Sequence, residues 1–443
     1  MLEERDIYEL RREGDRAVYM DHEEKRSICI PDEYCAGMFQ ARKPPHLTDE
    51  NRYFEAITHP LEGPTLRDIA MSKHASTAAI IISDATRNVP TAKVSEYLVD
   101  ELVAGGVPEE NITFFVALGV HRDATQEEMR DFIGDTLYNR GLHIENHDPY
   151  TEEKLVYLGR TSFGTPVKVN KKAQQCDVKV TVGKTELHEM AGFSGGRKSI
   201  LPGVAAEETI LINHRPEMIF ADGTGAGNLD HNPIHLDMLE TAKMFGVDFS
   251  VNFVVDQTGA PSEVFVGGLE GSHMAAVEYL RQFCNITVPK KIDLFVVTPG
   301  SPLNCDMYQG VKAIFALQHL LTPDSVVLFY GAFPEGMNSF DYVDPLRKFH
   351  TDYDAARKYT WDHYKIQMDH TLPTLDILQM GVKIVVCSDT VDKQDLLDLQ
   401  MLPYENMDEA LEDAIKLTGK DNPSVGFFPS SQSAVIRYGD GVE

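Results

Sequence analysis

Four polar segments of this chain carry side chains suited to holding anions and moving protons. They are SDATRNVP (83–90), LGVHR (118–122), KTELHEMAGFSGGRKSILPG (184–203, with NHR at 213–215 downstream) and PGSPLNCD (299–306, continuing through MYQGVK to 312). The first three follow directly on short apolar runs, and the fourth follows LFVVT. Among the sixteen histidines, His121 and His188 are set apart by position. Each stands a few residues past an apolar run, and a neutral imidazole with an ordinary pKa near ~6.5 takes and returns protons at neutral pH. Two such groups can serve opposite sides of one carbon. Arg87 and Lys312 are candidate anion holders, arginine through two parallel hydrogen bonds and lysine as a mobile point charge. Asp84 can orient one of these cations or cap the helix that follows it. The turn FSGGRK (193–198) joins Ser194, Gly195 and Gly196 to two cations, Arg197 and Lys198, so its unhindered amides suit a phosphate. Its spacing is neither that of a Walker A loop nor G-x-G-x-x-G, and a tight turn with solvated basic residues is the plainer alternative. His214 lies in a helical pattern and can offer one ring nitrogen to a metal. The sequence has no H-x-x-x-H or H-E-x-x-H pair to form a self-contained zinc-protease site.

The elements that must carry these segments are visible as β-branched runs, each followed by a turn and a helical pattern: 78–83, 112–118, 178–182, 249–255, 294–298, 326–330 and 382–387. Strands alternating with helices predict parallel sheets covered on both faces, whose ligands collect beyond the C-terminal strand ends. Thr125 with Glu128 predicts a capping box after the second strand. At 443 residues the chain exceeds what one core usually organises. The expected fold is α/β, with two domains of mostly parallel sheets flanked by helices and the active site in the cleft between them. The charged, proline-containing stretch at 287–293 marks the expected boundary, giving domains 1–287 and 288–423. A strand expected at 433–438 makes 424–443 a candidate to return and complete the first domain.

Composition narrows the function classes. Forty-one Lys and Arg against 69 Asp and Glu leave a formal charge of −28, which argues against a nucleic-acid groove. The opening MLEERDIYEL is not a signal peptide, and no stretch reaches the ~18 apolar residues of a membrane span. Six scattered cysteines without a C-x-x-C pair read as reduced thiols of a cytoplasmic protein.

Taken in order, the segments resemble the nickel-pincer-nucleotide-dependent lactate racemase family, and the likeness runs over most of the chain. It is carried by SD-x-TR-x-x-P (83–90), G-x-HR (119–122), His188 with AGFSGG-x-K (191–198) and LPG (201–203), Asn213-His214, and YQ-x-x-K (308–312). The resemblance implies a racemase or epimerase that inverts the 2-carbon of a 2-hydroxy acid, lactate or a related one, by hydride transfer. The implied cofactor is a nickel-pincer nucleotide (nickel pyridinium-3,5-bisthiocarboxylic acid mononucleotide), covalently linked to Lys198, with His214 as the protein's nickel ligand. By the same resemblance His121 and His188 are the acid–base pair. Asp84, Ser194, Gly195 and Gly196 belong with the cofactor, and Arg87, Tyr308, Gln309 and Lys312 with the substrate. The N-terminal domain would then carry cofactor and acid–base residues, and the C-terminal one substrate-binding residues. Implied partners are the small hydroxy acid and the enzymes that make the nucleotide, with no nucleic acid and no membrane; a homodimer is left open. Two other readings compete: a zinc- or iron-dependent hydrolase using His121, His188 and His214 as ligands, and a noncatalytic nucleotide- or phosphate-binding protein using only the glycine-rich turn.

Overall fold

A computed structural model describes residues 7–256, 259–439 and 441–442; the first six residues of the opening segment, and residues 440 and 443 of the tail, lie outside them. The chain divides into two compact units, one of residues 43–283 and one built from 1–42 together with 284–443.

Unit 43–283 is organised by a six-stranded sheet. Its strands are β1 (Ala78–Ser83), β2 (Ile112–Ala117), β3 (His143–Asn146), β4 (Val178–Lys184), β5 (Phe249–Val255) and β6 (Pro261–Gly267). They lie in the order β6-β5-β4-β1-β2-β3, all parallel except β6, which runs against β5. The run Ala-Ala-Ile-Ile-Ile of β1 shows why the sheet is central. Side chains of a strand alternate between faces, so Ala78, Ile80 and Ile82 pack into one apolar layer and Ala79 and Ile81 into the other,. Each buried isoleucine contributes about 1.5–3 kcal/mol, and none of the five is exposed. The register sets Ile82 against Val182 of β4 and Ser83 against Ala117 of β2, bringing three C-terminal strand ends level. From β1 the chain proceeds through β2 and β3 on one side, then returns to lay β4 on the other. That reversal between β1 and β4 is where open sheets of this kind take ligands.

The other unit holds a six-stranded, wholly parallel sheet in the order Leu402–Tyr404, Lys383–Cys387, Val326–Tyr330, Leu294–Thr298, Val425–Pro429 and Cys35–Met38. A three-stranded antiparallel meander, Tyr8–Glu13, Arg16–Asp21 and Arg26–Pro31, accompanies it.

The division differs from the expected one in two respects. Residues 1–42 do not join residues 43–283; Cys35–Met38 instead forms the edge beside Val425–Pro429. The expected strand near 433–438 exists as Val435–Tyr438, but it pairs with Asn285–Val288 inside the same unit rather than returning to residues 43–283. Pairing between the two ends of a chain leaves no local signature in hydrophobic pattern. The capping box forms as expected, with Thr125 receiving the amide of Glu128 and Glu128 receiving that of Thr125. All six cysteines are free thiols, and no helix among the described residues is long and apolar enough to cross a membrane.

Candidate active site

Beyond the end of β1, Asp84 caps a short 3-10 turn by accepting from the amide and hydroxyl of Thr86 (3.2 and 2.6 Å). Its other oxygen lies 2.6 Å from Nδ1 of His121, which follows β2. Burial, with Asp84 only 5% exposed, works to raise this carboxyl. The hydrogen bond and charge of His121, the charge of Arg87 and the Thr86 hydroxyl outweigh it and hold Asp84 below the usual carboxylate range,. An ionised Asp84 can only accept, so His121 carries a hydrogen on Nδ1, and in the neutral ring Nε2 is the lone-pair nitrogen,. Arg87 ends the same turn, half-buried. Sequence reading placed Asp84 beside a cation or as a cap; the pairing with His121 escaped it because it depends on β1 and β2 being neighbours.

The long segment after β4 folds back as a small antiparallel pair, Leu187–His188 with Gly192–Phe193. His188 accepts at Nδ1 from the amides of Met190 (3.3 Å) and Ala191 (3.2 Å), and its Nε2 stands 2.9 Å from Nζ of Lys198. The turn bearing Lys198 needs both glycines. Gly195 has φ +85°, and a Cβ there would lie 2.6 Å from Thr185 Oγ1 and 2.9 Å from Asn252 Oδ1; Gly196 has φ +50° and donates its amide to that same Asn252 oxygen at 2.8 Å,. Asn252 is fixed in turn by donating to Ser250 and Ser272 (3.1 and 3.0 Å). A further tie joins this segment to the His121 loop, where Gly119 donates to the carbonyl of Gly203 at 2.9 Å.

This turn departs from the open phosphate cradle its composition suggested. Ser194 donates to the Lys184 carbonyl (2.8 Å) and accepts the Glu186 amide (3.0 Å), and the Gly196 amide is committed to Asn252. Of the two cations, Arg197 points inward. Its guanidinium, 1% exposed, donates to the carbonyls of Ala191 (2.9 Å), Phe193 (2.8 Å), Ser194 (3.3 Å) and Gly195 (3.2 Å) and to His273 Nε2 (2.8 Å). Burial pushes it down to about 9. A buried arginine tying four carbonyls of one loop is a clamp on that loop's shape, and no short motif announces it.

Burial also keeps three histidines of this unit neutral. It lowers His147 to about 4, and, helped by the charge of Arg197, His235 to about 3 and His273 well below its ordinary value. In the unfolded chain each titrates near ~6.5. Folding therefore gains from their neutral forms fully above ~6.5, and that gain is lost as pH falls from there toward 4, where the unfolded chain binds more protons. The limiting slope is about 1.4 kcal/mol per pH unit for each group. The urea midpoint should accordingly fall steadily between pH 7 and 5; a flat midpoint across that window would contradict the neutral assignment.

His214 closes the helix Glu207–Asn213, and its Nδ1 lies 3.1 Å from the carbonyl of Ile210. A carbonyl can only accept, so Nδ1 donates there,. Among the described residues no three His, Cys, Asp or Glu side chains are grouped to hold a metal by themselves, so His121, His188 and His214 do not form the ligand set of a hydrolase. In the other unit, Tyr308 and Gln309 lie on the short helix Met307–Gly310, with Lys312 opening the next. The Tyr308 hydroxyl donates to Asp369 at 2.8 Å and its ring stacks on His370 at 4.2 Å, so it is engaged in that unit's interior. Gln309 and Lys312 are partly exposed.

A family model described as the lactate racemase N-terminal domain matches residues 21–227, and one described as the lactate racemase C-terminal domain matches residues 288–436. The chain belongs to the lactate racemase family. Curated members include the lactate racemases of Thermoanaerobacterium thermosaccharolyticum, 28% identical over 93% of this chain and 97% of that protein, and of Lactiplantibacillus plantarum, 28% identical over 94% and 98%. The solved lactate racemase apoprotein from T. thermosaccharolyticum superposes with a TM-score of 0.84 at 27% identity, covering 93% of this chain and 97% of that one. A Thermotoga maritima protein shares the fold, with a TM-score of 0.64 at 16% identity over 86% of this chain and all of that one. The lactate racemase N-terminal model spans Asp84, Arg87, His121, His188, Lys198 and His214; the C-terminal one spans Tyr308, Gln309 and Lys312.

Proposed function

We propose that this chain inverts the 2-carbon of a small 2-hydroxy acid, lactate or a close relative, with His121 and His188 moving the hydroxyl proton. The observation that carries the reading is the state of the two rings. Each has Nδ1 held by the chain and Nε2 turned elsewhere, His121 with a lone pair there and His188 with a hydrogen. Inversion needs a base on one side and an acid on the other, with the roles exchanged in the reverse direction. Before it can give up a full proton His188 must take one at Nδ1, in place of the two amide bonds it accepts there, and the Glu189 carboxylate 3.6 Å away would pair with that added charge,.

The donor set suits a nickel-pincer nucleotide. Lys198 would carry the covalent link and the Nε2 of His214 would reach the metal; with no grouped protein ligands among the described residues, the remaining ligands fall to the nucleotide. When bound, the group supplies a reversible two-electron acceptor for the hydrogen on the 2-carbon, chemistry that side chains lack. Enzymes that make the nucleotide are then required partners, and the cytoplasm is the compartment in which we place the protein.

The test is direct. Chain produced alongside those enzymes should convert either enantiomer of lactate or another 2-hydroxy acid into the mixture, read by chiral chromatography. Failure across a panel of 2-hydroxy acids with loaded protein would overturn the reading.

Arg87, half-buried at the end of β1, is the proposed grip on the substrate carboxylate, together with Gln309 and Lys312. A charge-assisted hydrogen bond contributes about 1.5–3 kcal/mol. Arg87→Ala and Lys312→Ala should therefore each lower kcat/KM roughly tenfold to hundredfold. Steady-state kinetics unchanged in both variants would place the anion holder elsewhere.

A further inference from the structure

Three contacts bear on where the proton of His188 resides. Two backbone amides, of Met190 and Ala191, point at Nδ1 from 3.3 and 3.2 Å, while Nε2 and Lys198 Nζ are 2.9 Å apart. A neutral imidazole has one accepting and one donating nitrogen. With Nδ1 accepting, Nε2 donates, and its partner must offer a lone pair. An ammonium has none, whereas a free amine has one. Around the pair, Glu189 lies 3.6 Å from His188 Nδ1 and favours an added proton. Arg197, next to Lys198 in the chain, turns its guanidinium to loop carbonyls and His273, and Lys184 at the end of β4 is paired with Glu186 at 2.8 Å.

We propose that, in the chain before any cofactor is attached, His188 holds Lys198 as the free amine and so makes it a selective nucleophile toward activated acyl groups. The inference rests on the preceding reading only in taking Lys198 as the residue to be modified. It gives His188 an earlier task, distinct from proton transfer during turnover. In such an acylation the Nζ lone pair forms the new C–N bond. The bond from the acyl carbon to its leaving group breaks, the leaving group takes that electron pair, and the surplus proton on nitrogen passes to water.

The experiment is competitive acetylation of the full chain, made without the nucleotide, by the N-hydroxysuccinimide ester of acetic acid over a pH series. Peptide mass mapping compares Lys198 with the exposed Lys290 and Lys291. Lys198 should be modified with a midpoint about one pH unit or more below theirs. His188→Leu should bring the midpoint up to theirs, and His188→Gln, whose side-chain amide still donates, should keep it low. Should His188→Leu fail to fold, nitrogen-15 spectra of the unsubstituted chain provide the second measurement, with Nδ1 bare and Nε2 protonated. Lys198 titrating with the surface lysines, or a His188 proton on Nδ1, overturns the proposal. A nucleotide found on another lysine would instead overturn the tether and leave the acetylation result standing.

Discussion

Replacing His121 by alanine is expected to lower kcat by about 10²–10⁴-fold in both directions of the interconversion, because in the proposed mechanism each direction uses one histidine as base and the other as acid. His188→Ala should do the same. The reciprocal loss separates this arrangement from a one-base mechanism, in which a single variant would be crippled. Asp84→Asn tests how His121 is prepared. An amide can donate to Nδ1, and it would then turn the ring so that Nε2 bears the hydrogen and cannot act as base. Asp84 touches the histidine rather than the substrate, so kcat should fall steeply with little change in KM, and the acidic limb of the kcat profile should move. Wild-type rates in His121→Ala or His188→Ala would remove that residue from the proposed mechanism.

The second large effect concerns Lys198. Lys198→Ala should yield a folded chain that, after gel filtration, has the mass of the polypeptide alone, substoichiometric nickel and activity at background. Lys198→Arg should fare no better, since a guanidinium stays protonated and is no nucleophile. The turn itself should survive both changes, because Asn252 and Arg197 hold its backbone. Peptide mapping that returns unmodified Lys198 from fully active enzyme would sink the covalent link.

What could be read in advance follows from the range of the forces involved. Strand β1 and the strands Leu294–Thr298 and Val326–Tyr330 coincide with apolar runs, because burial on both faces leaves an unbroken signal in a few adjacent residues,. Strand β6 begins with Pro261 and alternates buried with half-exposed positions, as an edge strand does, and Val425–Pro429 contains a glycine and ends in a proline; neither stands out by composition,. Histidines at strand ends were recognisable as candidates. Their hydrogen positions were not, since these depend on Asp84 arriving from a neighbouring strand and on two amides of a local bend. Arg197 is the clearest failure of composition as a guide. Beside Lys198 in sequence it reads as a second surface cation, yet backbone geometry sends the two side chains to different surroundings.

The unit that includes both chain ends carries a consequence for biosynthesis. Cys35–Met38 leaves the ribosome long before its hydrogen-bonded neighbour Val425–Pro429. At roughly 5–20 residues per second the interval is on the order of 20–80 s. Throughout it, residues 43–283 have a core of their own to fold around, while the first strand waits with its ladder groups open to any other extended segment. The nascent polypeptide is thus a natural client for holding chaperones, and a chain cut short before Val425 would leave the earlier-made strand without its partner.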